Sequence, residues 1–139
     1  MIVYTIGYGG RSRSSFLELL RKHKVKVLVD VRRYPNSKFE DFKKVIMEKW
    51  LGEAAIKYLW LGDELGGYRK GGFDKYMESA EFQRGVELLL KEIAENTVCI
   101  MCLEVSPTGC HRRYISKYLS ELSVDVRHII SSSKVVREE

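Results

Sequence analysis

The densest chemistry in the sequence lies in Cys102-Leu-Glu104-Val-Ser-Pro107-Thr-Gly109-Cys110-His111-Arg112. An apolar run precedes it, a Pro/Gly turn interrupts it and helical spacing follows. The segment therefore reads as strand, turn and helix start. Cys110 then falls at or near a helix N-terminus, beside His111, Arg112 and Arg113, where dipole and cations favour the thiolate. Cys110 or Cys102 is the candidate nucleophile. Glu104 and His111 are candidates for proton transfer, and Arg112 for a bidentate grip on an anion. A cysteine-phosphatase loop would carry Arg where Thr108 stands, which excludes that mechanism. Two other readings stay open. Cys102, Glu104, Cys110 and His111 offer sulfur, oxygen and nitrogen donors for zinc or iron, although no C-x-x-C or H-x-x-H pair accompanies them. Cys102 and Cys110 could also form a disulfide. Cys99, among apolar neighbours, reads as packing.

Four further segments carry chemistry. Gly7-Tyr8-Gly9-Gly10, followed by Arg11, could cradle an anion on backbone N–H groups, but matches neither the dinucleotide fingerprint nor the phosphate-loop motif. Asp30-Val31-Arg32-Arg33 sets a carboxylate beside two guanidiniums. Asp30 could serve as a base or simply pair with an Arg, and an extended chain turns Arg32 and Arg33 to opposite sides, with Arg32 the one expected in a site. Gly66-Gly67-Tyr68-Arg69 reads as a glycine-rich loop with a cation. His128 stands near the end of the last apolar run. Tyr8, Tyr34, Tyr68 and Tyr114 lie beside these Gly and Arg positions, and aromatics interleaved with cations can stack bases. Tyr114 also fits the core stripe of its helix. His23 reads as helix-end surface, and Met47, Met77 and Met101 as packing.

The elements that must position these residues alternate. Strands are expected at 2–6, 25–31, 56–61, 97–103 and 124–130. Helices are expected after the capping boxes Ser15-x-x-Glu18 and Ser37-x-x-Glu40, after Ser79, and along Tyr114, Ile115, Tyr118, Leu119 and Leu122. This alternation implies one α/β domain over residues 1–130, three-layered, with a mostly parallel sheet of about five strands flanked by helices. Residues 131–139 read as a polar, frayed tail. Parallel strands put their C-terminal ends on one edge, where such sheets bind ligands. Every segment named above follows a strand. Gly7, Tyr8, Gly9, Arg11, Arg32, Arg33, Gly66, Gly67, Arg69, Arg112 and His128 are thus the expected binding residues, with Cys110, Cys102, Asp30, Glu104 and His111 the expected catalytic ones.

The 139 residues suit a single domain with a substantial core. With 45% hydrophobic and 31% charged residues, disorder is excluded. No apolar run is long enough for a transmembrane helix. The chain starts directly on an apolar strand pattern, and the expectation is a cytoplasmic protein. One Gln and two Asn against many Lys and Glu is a bias of heat-adapted proteins. The net charge of +5 is uneven: residues 11–49 hold 12 basic and 5 acidic side chains, whereas residues 50–139 hold 12 and 14. Lys22, Lys24, Lys26, Lys43 and Lys44 read as solvated helix surface. The basic third points to an anionic partner, either a small phosphate- or nucleotide-bearing ligand or nucleic acid. Residue types name no cofactor and no oligomeric state.

Taken together, Thr5-Ile-Gly7-Tyr8-Gly9-x-Arg11-Ser12, Val29-Asp30-Val31-Arg32-Arg33-x-Pro35-x-Ser37-Lys38, Tyr58-x-x-Leu61-Gly62-x-x-Leu65-Gly66-Gly67-x-Arg69, Cys102-x-Glu104-x-x-Pro107-x-x-Cys110-His111-Arg112 and Val126-x-His128-Ile129 resemble domain-of-unknown-function family 488. The resemblance runs from residue 3 to 130 in the expected order. It implies a compact α/β domain and assigns no activity. Its motif positions fall on Gly7, Arg11, Asp30, Arg32, Arg33, Gly66, Gly67, Arg69, Cys102, Glu104, Cys110, His111 and Arg112. Ser123 stands where the family pattern leads one to expect Gly closing the last helix.

Overall fold

A computed structural model describes residues 1–109 and 111–138. Its elements are β1 (Ile2–Gly7), α1 (Arg13–Lys22), β2 (Val27–Asp30), α2 (Lys44–Glu53), β3 (Lys57–Trp60), α3 (Gly62–Leu65), α4 (Phe73–Tyr76), α5 (Ala80–Glu95), β4 (Val98–Cys102), α6 (Arg112–Glu121), β5 (Asp125–Ser131) and β6 (Lys134–Arg137). The six strands form one sheet in the order β3-β2-β4-β1-β5-β6. Every pairing is parallel except that of β5 with β6.

The near-continuous apolar runs of β2 and β4 are those of strands buried on both faces. Phe16, Leu19 and Leu20 of α1 and Met47, Trp50 and Leu51 of α2 cover one face, over Leu28, Cys99 and Met101. Phe82, Val86, Leu89 and Ile93 of α5, with Ile115 and Leu119 of α6, cover the other, over Val29, Val98 and Ile100. This is the expected three-layer α/β arrangement. Chains leaving β1 and β2 thus turn to one face and chains leaving β3 and β4 to the other. Because β4 lies between β1 and β2, the strand ends part over the middle of the sheet and open a crevice there.

Three local expectations are corrected. Helix α1 is capped one turn earlier than Ser15: the Ser12 hydroxyl accepts from the Ser15 amide. Ser37 does not open a helix. Its hydroxyl accepts from the Phe39 amide, a short 3₁₀ turn follows at Glu40–Phe42, and α2 begins only at Lys44. Side chains of this type bond nearby backbone in turns as readily as at caps. Over its described residues, 131–138, the tail is not frayed. Val135 and Val136, β-branched and half-covered, lie in β6 against β5, and the Glu138 amide donates to the Val126 carbonyl. Ser123 takes a left-handed backbone, φ 68°, just beyond α6, so a serine does there what glycine usually does.

Candidate functional site

The crevice is a cleft of about 630 Å³ over the C-terminal ends of β1, β2 and β4. Tyr8 enters it from the loop after β1, and Arg32, Arg33, Tyr34 and Asn36 from the loop after β2. Gly67 and Tyr68 enter from the segment after β3, and Cys102, Leu103, Glu104, Gly109 and His111 from the connection between β4 and α6. Eight of the residues expected from strand-end position meet here: Tyr8, Arg32, Arg33, Gly67, Cys102, Glu104, His111 and, through its hold on Arg32, Asp30. Cys110 lies outside the described residues, and so do the nucleophile, disulfide and four-donor metal readings that depend on it.

Gly7 and Gly9 are set by a close approach of backbone to the β4 end. The Tyr8 and Gly9 amides donate to the Cys102 and Leu103 carbonyls at 3.1 and 2.9 Å, which prolongs the β1–β4 pairing beyond the strands. A Cβ on Gly7 would lie 1.9 Å from the Glu104 carbonyl oxygen, and one on Gly9 2.9 Å from that of Leu103. The Tyr8 and Gly9 amides are therefore committed, and close approach explains glycine at positions 7 and 9. Gly66 is hemmed in similarly: a Cβ there would lie 2.3 Å from the Gly62 carbonyl oxygen.

Three of the expected anion-binding arginines are committed elsewhere. Arg11 donates through Nε to the Gly7 carbonyl and through Nη2 to the Ile130 carbonyl, both at 2.7 Å, joining the ends of β1 and β5. Arg69 donates to the Gly62, Gly66 and Asp63 carbonyls, closing the C-terminal end of α3, while its guanidinium lies 3.9 Å from the Tyr76 ring centroid. Arg112 is fully buried and donates to the carbonyls of Glu104, Val105 and Ser106, shaping the loop that lines the cleft. Carbonyls that turn away from secondary structure need donors, and one guanidinium supplies several.

Asp30 and Arg32 form a buried bidentate pair. Arg32 Nε and Nη2 donate to the two carboxylate oxygens at 2.9 and 2.7 Å, and the Arg32 amide donates as well. The Tyr58 hydroxyl donates to the same carboxylate, and burial, with that negative neighbour, pushes the phenol's pKa up. Asp30 is thus an orienting carboxylate, engaged on both oxygens. Arg32 Nη1 donates to the Phe42 carbonyl, and its guanidinium sits 5.1 Å from the Tyr8 ring centroid, with Tyr8 stacked on Phe42. Arg33, which an extended chain would turn to the side opposite Arg32, also reaches the cleft mouth. It is half-buried, donates to the Tyr68 carbonyl and lies beside the Tyr34 ring.

His111 Nε2 lies 3.1 Å from the Val31 carbonyl, which can only accept, so Nε2 carries the proton. Burial lowers the pKa, opposed by that carbonyl and reinforced by the charges of Arg112 and Arg69. The ring is therefore neutral near pH 7, with Nδ1 an acceptor turned toward Gly67. Among the described residues, no group of three or more His, Cys, Asp or Glu side chains could hold a metal ion. Cys102, Glu104 and His111 therefore do not form such a group by themselves.

His128 is not at the rim. It pairs in register with Thr5, two residues short of the β1 end, and is buried. Its Nε2–H donates to Glu138 at 2.8 Å, which leaves Nδ1 to accept from the Thr5 hydroxyl at 2.6 Å. The side chain ties the last strand to the sheet. Burial, countered by Glu138, lowers its pKa too, and His23 is lowered by burial and by Lys22. All three histidines shift below the ordinary 6.5. Below that value the unfolded chain binds protons that the native one refuses, so stability falls as pH falls. The urea midpoint should be lower at about pH 5.5 than at about pH 7.5. An unchanged or higher midpoint in acid would contradict these assignments.

Asn36, Leu103 and Gly109 also line the cleft and were not expected from their residue types. Asn36 had a usable signal, since it lies in the turn that follows β2. A second hollow of about 580 Å³, by α1 and the β5–β6 turn, is lined by Arg11, Glu18 and Lys22 among others. The basic block 11–49 does not present one uniform face. Arg11 and Arg32 are bonded internally, and Arg13, Lys43 and Lys44 sit beside Asp41, Glu40 and Glu48. Among the described residues, no helix is long and apolar enough to cross a membrane.

No curated protein and no solved structure matches the chain. The sequence model of a family described as Domain of unknown function DUF488 matches residues 12–119, from the Ser12 cap of α1 to Leu119 in α6. The match takes in every cleft-lining segment except the loop after β1, and the chain belongs to that family.

Proposed function

We propose that the cleft binds a small anionic ligand, phosphate-bearing by the chemistry of its lining, and that the connection between β4 and α6 supplies the reactive groups. The observation that carries this reading is the convergence of four strand-end segments on one cleft where the strand ends part. Arg33 is the cation nearest solvent there, and it keeps guanidinium donors beyond the one given to the Tyr68 carbonyl. Arg32, held by Asp30, sits behind it. Neutral His111 and the exposed Glu104 are the proton-transfer groups, and the sulfur of Cys102, with Cys110, is the thiol component.

The test is a titration with inorganic phosphate followed by backbone amide NMR. Saturable shifts should gather at Tyr8, Arg33, Gly67, Leu103 and His111. Arg33→Ala should weaken binding by about tenfold, roughly 1.4 kcal/mol. Shifts scattered over the lysine-bearing helices, or no saturation, would overturn the anion reading.

A further inference from the structure

We infer that the ligand of this cleft carries a planar aromatic ring as well as its anionic group, as a nucleotide does, and that Tyr34 and Tyr68 hold that ring. The inference rests on the anion reading of the same cleft and adds to it. Tyr34 is 62% and Tyr68 85% exposed, so neither ring contributes much to the core. Both line the mouth of the cleft, with centroids 6.2 Å apart and planes inclined by 36°. A flat ring inserted between two others needs about 3.5 Å on each side. The pair is therefore within about 1 Å of the spacing of a sandwich, and exposed side chains rearrange that far readily.

The backbone supplies an independent argument. Tyr68 sits at φ 60°, a left-handed conformation that is costly for a bulky residue, although Gly66 and Gly67 immediately precede it. Glycine would supply that backbone conformation more cheaply, the exposed ring buries little, and strain of this kind gathers at ligand clamps. Arg33 links the two rings: its guanidinium lies 5.6 Å from the Tyr34 centroid and donates to the Tyr68 carbonyl. One cation thus borders both the stacking gap and the cleft. Asn36, exposed on the same lining, offers an amide donor and acceptor suited to the edge of a base.

The test measures binding of adenosine monophosphate, ribose 5-phosphate, inorganic phosphate and adenosine to the full chain by calorimetry, for wild type, Tyr34→Ala, Tyr68→Ala and Tyr68→Phe. Adenosine monophosphate should bind about tenfold or more tightly than ribose 5-phosphate. Each alanine variant should erase most of that advantage, with ribose 5-phosphate affinity unmoved, and Tyr68→Phe should retain it. Tyr68→Gly, which relieves the backbone, should lose the advantage without a lower melting temperature, separating stacking from folding. Equal affinities in the wild type, an advantage that survives both alanine variants, or no binding of either adenine compound overturns the inference. If adenosine binds with the tyrosine dependence while both phosphates fail to compete, the stacking pair stands and the anion reading alone falls. A short single-stranded oligonucleotide distinguishes the sources. Tighter binding with a salt slope growing with phosphate number identifies a strand, whereas affinity no better than that of the mononucleotide identifies a free nucleotide. Either source sustains the inference.

Discussion

Asp30→Asn should destabilise the domain by about 3–5 kcal/mol, the cost of leaving a buried guanidinium without its countercharge. The carboxylate is wholly buried and Arg32 only 8% exposed, so water cannot take over the lost partner. The amide replacement keeps the shape, which assigns the loss to charge rather than volume. At this chain length the melting temperature should fall by about 10 °C or more. Replacing both partners by apolar residues of similar size, Asp30→Leu with Arg32→Met, should recover much of the loss, since a buried pair is weakly stabilising against well-packed apolar groups. Equilibrium urea denaturation of the two single variants and the double variant checks both halves of this expectation. Additive losses would show that the pair is not the coupled unit its geometry indicates.

Gly7→Ala should cost about 3 kcal/mol and disturb the cleft simultaneously. The added methyl would fall 1.9 Å from the Glu104 carbonyl oxygen, 2.2 Å from its carbon and 2.6 Å from the Val105 nitrogen. These are backbone atoms, and Arg112 holds the same carbonyls, so no side chain can swing aside to relieve the contact. Either β1 separates from β4 at the Gly7–Cys102 pair, or the loop bearing Glu104 moves. Amide shifts at Leu103–Gly109 together with a lower urea midpoint are the expected result. Gly52→Ala is the matched control. It lies in α2 with open space around the new methyl and should raise stability by about 0.5–1 kcal/mol.

The sheet and its edge were legible because both depend on pattern. Apolar runs such as 97–103 and the stripe from Phe82 to Ile93 mark elements, and the parallel-sheet rule then brings Tyr8, Arg33, Gly67, Cys102 and His111 together without any knowledge of strand order. What a side chain does at that edge was less legible. Arg11, Arg69 and Arg112 occupy the expected positions but turn to carbonyls, because irregular backbone after each strand needs donors and residue type does not reveal where those carbonyls point. The Asp30–Arg32 pair was half-visible, since residues two apart on an extended chain share a side. His128 was misplaced because the register sets it beside Thr5, two residues below the β1 end, and sequence pattern does not reveal register. Likewise Ser15 and Ser37 resemble helix caps in type alone: the Ser12 hydroxyl takes the cap of α1, and the Ser37 hydroxyl bonds the Phe39 amide in a turn.

The order β3-β2-β4-β1-β5-β6 also governs how the chain can be made. β1 is the first strand to leave the ribosome, yet both of its neighbours, β4 and β5, come from residues beyond 97. At about 5–20 residues per second, β1 spends several seconds with its hydrogen-bonding edges unsatisfied while β2 and β3 can already pair. β4 must then insert between β2 and β1, before β5 and β6 add outside β1, and that same strand carries the loop with Glu104 and His111. The cleft therefore cannot assemble until β4 and the loop after it have emerged. A chain released before β4 emerges would lack the cleft, and one released before β5 would expose an open β1 edge, which makes such fragments natural targets for chaperones and proteases.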